Sequence, residues 1–520
     1  MCFLTKTVPY TANPKGVYQK MFIKLAMLVI FFSVTIGVGL YYRSHATNVN
    51  GFVLGGRSVG PWLTAFAYGT SYFSAVVFVG YAGQFGWKFG ISAVWIGLGN
   101  AMIGSLLAWV FLGSRTRVMT HRLESATMPA FFGKRFQSNG LKVAASVIIF
   151  IFLIPYTASL YNGLSRLFAM AFEVDFTVCI IAMALLTAVY VVAGGYVATA
   201  VNDFIQGIIM IGGIIAVIAA VLKTNGGFSE SLAALAIVQD ATVSDVPGVF
   251  ASFFGPDPLS LLGVILLTSL GTWGLPQMVQ KFYSIKSDQA VKQGTIISTL
   301  FAVIISGGCY FLGGFGRLFS DKIDVVADGF DSIIPTMLSE YSPLLIGIIV
   351  VLVLSASMST LSALVMTSAS TLTLDFLKGN FIKKMSDKSQ LFTIRMLVVV
   401  FIIISTIIAV VQYKAGLMFI AQLMGISWGA LAGSFLAPFL YGLYWKKASK
   451  ASVWICFIFS TVFMTLNIVA KSVFPVILQS PINAGAFTML AGMVIVPVVS
   501  AFTRKPDKKH VEFCFESYKK

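Results

Sequence analysis

A chain of 520 residues that is 58% hydrophobic and only 11% charged cannot give soluble domains a wetted surface, so it belongs in lipid. The formal charge of +17 does not point to nucleic acid, because the basic residues fall between apolar segments and form no continuous stripe with interleaved aromatics. Cys2, Cys179, Cys309, Cys456 and Cys514 include no CxxC pair and His45, His121 and His510 form no cluster, which argues against a disulfide framework, a metal centre or enzyme chemistry.

Along the chain, apolar runs of about twenty residues, the length a helix needs to cross the hydrocarbon, recur thirteen times. They lie near 25–42, 60–82, 91–112, 141–172, 176–193, 204–222, 259–280, 294–316, 342–374, 394–411, 417–441, 451–469 and 484–502. The runs starting at 141 and 342 are longer than needed, which implies tilt or extension beyond the bilayer. Nothing before Leu25 has a signal-peptide core, so the first run reads as a retained anchor. The 18 residues after Phe502 include seven of Arg, Lys or His and read as a basic tail, solvated or laid on a membrane surface, too short to be a module.

Thirteen crossings put the two ends on opposite sides, and Lys and Arg orient them. Alternate connectors separate sharply: one set, from Arg43 and Arg57 through Arg115–Lys142, Lys281–Lys292, Lys378–Arg395 and Lys446–Lys450 to the tail, holds 25 of the 36 basic residues. That set is predicted to be cytoplasmic. The other carries Asp321, Asp324, Asp328, Asp331 and Glu340, which puts the N-terminus outside and the C-terminus in the cytoplasm of a multi-pass cell-membrane protein. Lys15, Lys20 and Lys24 pull the first run the other way, against the bias of the whole chain.

Ionisable residues inside the runs are few, as a cost of at least ~2.5 kcal/mol per central charge requires. Asp375 reads as a solvated helix end near Lys378, and Arg166 as either snorkelling outward or lining a solute path. Asp203 stands among small residues with Asn202 and Gln206 and reads as functional. The second run, through Tyr68-Gly69-Thr70-Ser71-Tyr72-Phe73-Ser74, and the seventh, through Gly271-Thr272-Trp273-Gly274-Leu275-Pro276-Gln277, both carry helix-breaking chemistry. Unwound backbone at membrane depth survives only where it is buried in protein or lines a cavity, and two broken runs five crossings apart are the pattern of a transporter binding site. In the ninth run Ser355, Ser359 and Ser362 share a helical face with Thr360 beside them, a set of uncharged oxygens suited to a hard monovalent cation.

The stretch Phe52-Val53-Leu54-Gly55-Gly56-Arg57-Ser58-Val59-Gly60-Pro61, the run Gly194-Gly195-Tyr196 through Asn202-Asp203-Phe204-Ile205-Gln206-Gly207, and Met358-Ser359-Thr360-Leu361-Ser362 resemble the sodium:solute symporter family, nearest its sodium/proline branch. Pro276–Phe282 and Trp428–Pro438 extend the resemblance over nearly the whole chain. It implies an all-α membrane protein with a leucine-transporter-like 5+5 inverted repeat. The N-terminal tail would be 1–24, the leading helix and connector 25–59, the repeats 60–257 and 258–443, the two trailing helices 444–502 and the tail 503–520.

It further implies sodium as the coupling ion, with no other cofactor, held by the carbonyls of Thr70, Phe73 and Ala356 and the hydroxyls of Ser359 and Thr360. Asp203 and Ser362 would serve a second sodium or its path, although Ala363 stands where members with two ions place another ligand. The solute pocket would lie near Tyr72, Ser74, Tyr156, Thr272, Trp273 and Gln277. Proline-type members have an acidic residue at the position of Tyr72 and aromatics at those of Thr268 and Thr272, whereas Tyr156 matches one of their aromatic positions. The expectation is a non-enzymatic secondary transporter, functional as a monomer, that takes up an amino acid such as proline or a small carboxylate with sodium. Proton coupling through Asp203, a transporter-like solute sensor and a channel are the alternatives.

Overall fold

The structure, a computed structural model, describes residues 14–42, 48–378, 380–382, 384–415 and 419–518. Cys2, Arg43, His45, Leu417 and Lys520 lie outside the described residues. Helices dominate. Among the described residues ten are long and apolar enough to cross a membrane, or eleven when the bent pair Pro258–Gly274 and Pro276–Ser284 is one span.

The difference from thirteen has two sources. The second run is cut at Phe73, so Pro61–Tyr72 is only 12 residues long, and the remainder of that run continues into the third over Val76–Arg122. The fifth and sixth merge in Phe176–Thr224 across a kink at Gly195, and Phe176–Val189 alone is a short apolar helix. Gly195 sits at φ +68°, a conformation a side chain would strain, which is why a glycine marks the turn from one run into the next. The first helix begins at Pro14, ahead of the expected 25, and Lys24 donates to the Ala171 carbonyl near the end of the fourth.

Helices Pro343–Thr371 and Ile420–Tyr444 are buried over most of their length. Both are apolar all round and rich in Gly, Ala and Ser, which suits a position inside a bundle where backbones approach closely. The first helix is peripheral, with Phe22, Val29 and Ile30 facing outward.

The basic connectors meet on one face. Arg57 Nη2 donates to the Ser125 carbonyl at 2.6 Å, Arg117 pairs with Asp288 at 2.8 Å, and Asn139 bonds Asn380 at 2.8 Å. The C-terminal tail, expected to be solvated or laid on a membrane surface, instead packs against the protein. It forms the helix Lys508–Glu516, buries Val511, Cys514 and Phe515, and is held by Arg122 against Glu516 at 3.4 Å and by Tyr518, whose hydroxyl donates to the Arg115 carbonyl. Four basic side chains lie over its aromatics: Arg115 on Tyr518, Arg122 on Phe513, and both Arg135 and Lys446 on Phe515. Asp375 is likewise no solvated helix end: it is buried and accepts from Thr127 Oγ1 at 2.6 Å. Arg166 lies over the rings of Phe176 and Tyr413.

On the opposite face the connecting segments are tied by Arg317 to Asp240 at 3.0 Å and Lys88 to Asp257 at 2.9 Å. There the buried Asp331 accepts from the Ile420 amide at 3.1 Å, capping helix Ile420–Tyr444 from another segment. Burial pushes the Asp331 carboxyl up from 3.8 to about 6, against the opposing pull of that amide and of Arg166. The folded protein therefore keeps a proton that the unfolded chain releases, and stability falls as pH rises from about 4 through about 6. Asp331→Asn keeps the acceptor and removes the titration. Its unfolding midpoint should match the parent near pH 4 and exceed it at pH 7, by an amount equivalent to about 3 kcal/mol at most. A difference between the two that does not change with pH would contradict this.

Candidate functional site

The second run breaks where its own hydrogen bonding ends. Helix Pro61–Tyr72 stops with the Phe73 amide donating to the Gly69 carbonyl, and Phe73 turns to an extended conformation. Ser74 then starts the next stretch: its carbonyl accepts from Val77 and Phe78, and its hydroxyl from the Val76 amide at 3.3 Å. The seventh run breaks at Leu275, extended because it precedes Pro276, and the two halves meet at 45°.

Helix Pro343–Thr371 runs unbroken past the first break and presents its hydroxyls to it. Thr360 Oγ1 lies 3.2 Å from the Thr70 carbonyl, 3.4 Å from that of Ser71 and 3.1 Å from that of Ala356. A hydroxyl has one proton, so three carbonyls around it leave acceptor capacity unmet, and a small cation satisfies such a cluster. Ser359 Oγ donates to Thr70 Oγ1 at 2.7 Å, which in turn donates to the Phe66 carbonyl at 2.8 Å. Of the residues expected to hold an ion, Thr70, Ala356, Ser359 and Thr360 are thus brought together, with Phe73 at the break beside them. The Ser71 carbonyl is an addition. Ser355 and Ser362 turn away from the cluster, donating to the Val351 and Ser359 carbonyls.

The buried Asp203 faces Ser359 on one side and Lys281 on the other, with Lys281 Nζ 3.8 Å from Asp203 Oδ2. Lys281 corrects the connector count. It stands on the second half of the broken seventh run, buried, with its ammonium over the Tyr196 ring at 5.4 Å. Asp203 Oδ1, the Tyr196 hydroxyl and both amide ends of Gln206 and Gln277 are buried and make no hydrogen bond among the described residues.

The solute candidates divide. Tyr72 stacks on Phe73 at 4.2 Å and lies 6.2 Å from the Trp428 ring, which meets Tyr156 edge-on at 5.9 Å. The Tyr156 hydroxyl turns toward Ser74 and Trp428, and neither it nor the Trp428 indole nitrogen is hydrogen-bonded among the described residues. Trp428 fits because Gly271 has no side chain: a Cβ there would lie 2.4 Å from its ring. Thr272 Oγ1 and Trp273 Nε1 instead donate to the Gly104 and Ile103 carbonyls of the third run, and the Tyr72 hydroxyl to the Thr268 carbonyl. Trp428 went unassigned in the sequence, yet it is the one aromatic in the small-residue segment Gly425–Gly433, which marks it as filling space that small neighbours leave.

Residues 52–459 match the sequence model of the sodium:solute symporter family. The osmoregulated proline transporter OpuE of Bacillus subtilis (strain 168) is 27% identical over 486 residues, 92% of this chain and 95% of that protein. The sodium/proline symporter of Staphylococcus aureus (strain JH9) is 30% identical over 437 residues, 82% of each. Among solved structures, a Na+-coupled sialic acid symporter in a substrate-bound outward-open state superposes with a TM-score of 0.72 at 16% identity, covering 94% of this chain and 99% of that one. Inward-facing Mhp1 gives 0.51 at 14% identity over 88% of this chain and 94% of that one. At these identities the structural likeness speaks for the fold, which is leucine-transporter-like.

Proposed function

The chain belongs to the sodium:solute symporter family, and we propose that it couples inward sodium movement to uptake of a small amino acid, proline foremost, or a small carboxylate. The observation that carries the coupling is the oxygen cluster joining the broken second run to the ninth helix: Thr360 Oγ1 within 3.4 Å of three carbonyls. A sodium ion held by Thr70, Phe73, Ala356, Ser359 and Thr360 orders the break, and the break carries Tyr72 and Ser74 into the solute site with Tyr156 and Trp428. Gln277, whose amide is left without a partner among the described residues, forms its further wall on the seventh run, with Thr272 and Trp273 behind it holding that run to the third. Asp203, and Ser362 with it, would receive the ion on its way to the inner face. The relatives named for proline transport support proline as the first solute to try.

The basic face is cytoplasmic in this reading, with the C-terminus inside, the N-terminus outside and repeats over 60–257 and 258–443. A monomer suffices, since both broken runs and the ninth helix belong to one chain. Each sodium charge entering gains about 2.3 kcal/mol per 100 mV, which sustains roughly fifty-fold accumulation of solute before its concentration gradient is added.

Purified protein in proteoliposomes with an inward sodium gradient should accumulate labelled proline above equilibrium, faster with a negative interior, and should stop when a sodium ionophore collapses the gradient. If proline fails, amino acids and short carboxylates are screened by thermal shift, where a true solute stabilises more with sodium present. Accumulation in sodium-free buffer under a pH gradient would overturn sodium coupling in favour of protons.

A further inference from the structure

A cavity of about 500 Å³ opens on the basic face between the ends of the two trailing helices and the C-terminal tail. Arg135, Lys450, Arg504, Lys505 and His510 line it, and Asp507 is its one acid. That carboxylate is engaged in capping the tail helix, where Oδ1 accepts from the Lys509 amide. Arg135 is fully buried: Nε and Nη2 donate to the Gly442 and Trp445 carbonyls at 2.9 and 3.2 Å, and Nη1 makes no hydrogen bond among the described residues. Lys450, Arg504 and Lys505 form no ion pair among the described residues. Lys450 opens the 20-residue helix Lys450–Val469, whose N-terminal end adds positive potential.

This is a built recess rather than a diffuse patch. Ser449 ties its rim together, its amide donating to Ser500 Oγ at 3.0 Å and its hydroxyl meeting Thr503 Oγ1 at 2.7 Å. Four permanent cations converge on it against one occupied acid, so a phosphate ester is the ligand chemistry it fits. Its position selects the source. Arg504 stands two residues after the span Pro481–Phe502, and the two trailing spans expose Ile455, Ile458, Val498 and Phe502, an apolar surface that suits acyl chains whose phosphate enters the cavity.

We propose that this cavity binds the phosphate of an anionic lipid headgroup, with Arg135, Lys450, Arg504 and Lys505 as its charge. The lipid then pins the trailing helices and the tail helix to the intracellular ends of the bundle. The purified full chain is assayed for thermal shift and for lipid retained in native mass spectrometry, using phosphatidylglycerol, phosphatidylcholine and inorganic phosphate in turn. Phosphatidylglycerol alone should stabilise the parent protein. Lys450→Gln/Arg504→Gln/Lys505→Gln should bind it on the order of a hundredfold more weakly. Lys286→Gln/Lys292→Gln/Lys388→Gln removes the same charge from exposed positions of that face and should bind as the parent does. Equal loss in both triple variants would reduce the effect to general surface charge and overturn the site. Unchanged binding in the first variant would do the same, and stabilisation by inorganic phosphate matching that by lipid would overturn the lipid assignment.

Discussion

Ser359→Ala combined with Thr360→Ala should abolish sodium stimulation of uptake. Two of the five proposed oxygen ligands go, and a hydrogen bond or ion contact to a charged group contributes about 1.5–3 kcal/mol, so sodium affinity should fall by at least about a hundredfold. The sodium concentration for half-maximal transport is the quantity to measure, together with sodium-dependent thermal stabilisation, which reads the site without turnover. Ser355→Ala is the informative control. Ser355 lies on the same helical face, but its hydroxyl already bonds the Val351 carbonyl at 2.7 Å, so its loss should leave sodium affinity unchanged. Thr360→Ser restores an oxygen at the centre of the three carbonyls and should recover most of the affinity. If the double alanine variant keeps the parent's sodium dependence, the site lies elsewhere. If Ser355→Ala loses as much, the whole hydroxyl face acts only as interhelical packing.

That control marks the limit of what helical spacing tells. Ser355, Ser359 and Ser362 share a face by periodicity, yet only tertiary contact decides which hydroxyl bonds back to its own helix and which reaches Thr70. Breaks are legible to differing degrees. Pro276 forces Leu275 out of the helical region and fixes the seventh break to the residue. Nothing of that kind stands at Phe73, so the second break reads only as the stretch Tyr68–Ser74 and falls near its end, where Ser74 supplies a new cap. Span counting by length fails at the same places: a run cut at its middle and a run merged through Gly195 both hide from a criterion that needs one long helix.

Charge was legible as a sum and not always as a position. The bias of basic connectors survives in the structure as one contiguous face, since Arg57, Arg117 and Arg135 each reach a neighbouring connector. Lys281 does not belong with them. Counting treats a lysine at the edge of an apolar run as solvated, whereas the half-helix after Pro276 carries this one inward to Asp203. The basic tail was misread for a related reason: Val511, Cys514 and Phe515 are too few to announce a module, but arginines from other segments complete their packing.

The Asp203–Lys281 pair gives the second large effect. Both charges are buried, and removing one partner strands the other at a cost of about 3–5 kcal/mol. Asp203→Asn and Lys281→Gln should therefore each lower the unfolding midpoint sharply, while the double variant should recover most of the loss, because no lone charge remains. Transport separates the two roles. At 3.8 Å the contact is an ionic one beyond hydrogen-bond length, and Ser359 faces the same carboxylate, so on the proposed route Lys281 would compete for Asp203 with an ion leaving the Ser359 site. In Lys281→Gln the carboxylate is left to the ion: half-maximal sodium should fall several-fold and maximal rate should fall with it, because release to the inner face becomes slow. In the double variant stability returns without that tight sodium phase, since the carboxylate is absent. Strictly additive stability losses would mean the two charges do not interact. A Lys281→Gln variant with unchanged sodium dependence would remove Asp203 from the ion's route and leave the pair as a structural tie between the sixth and seventh runs.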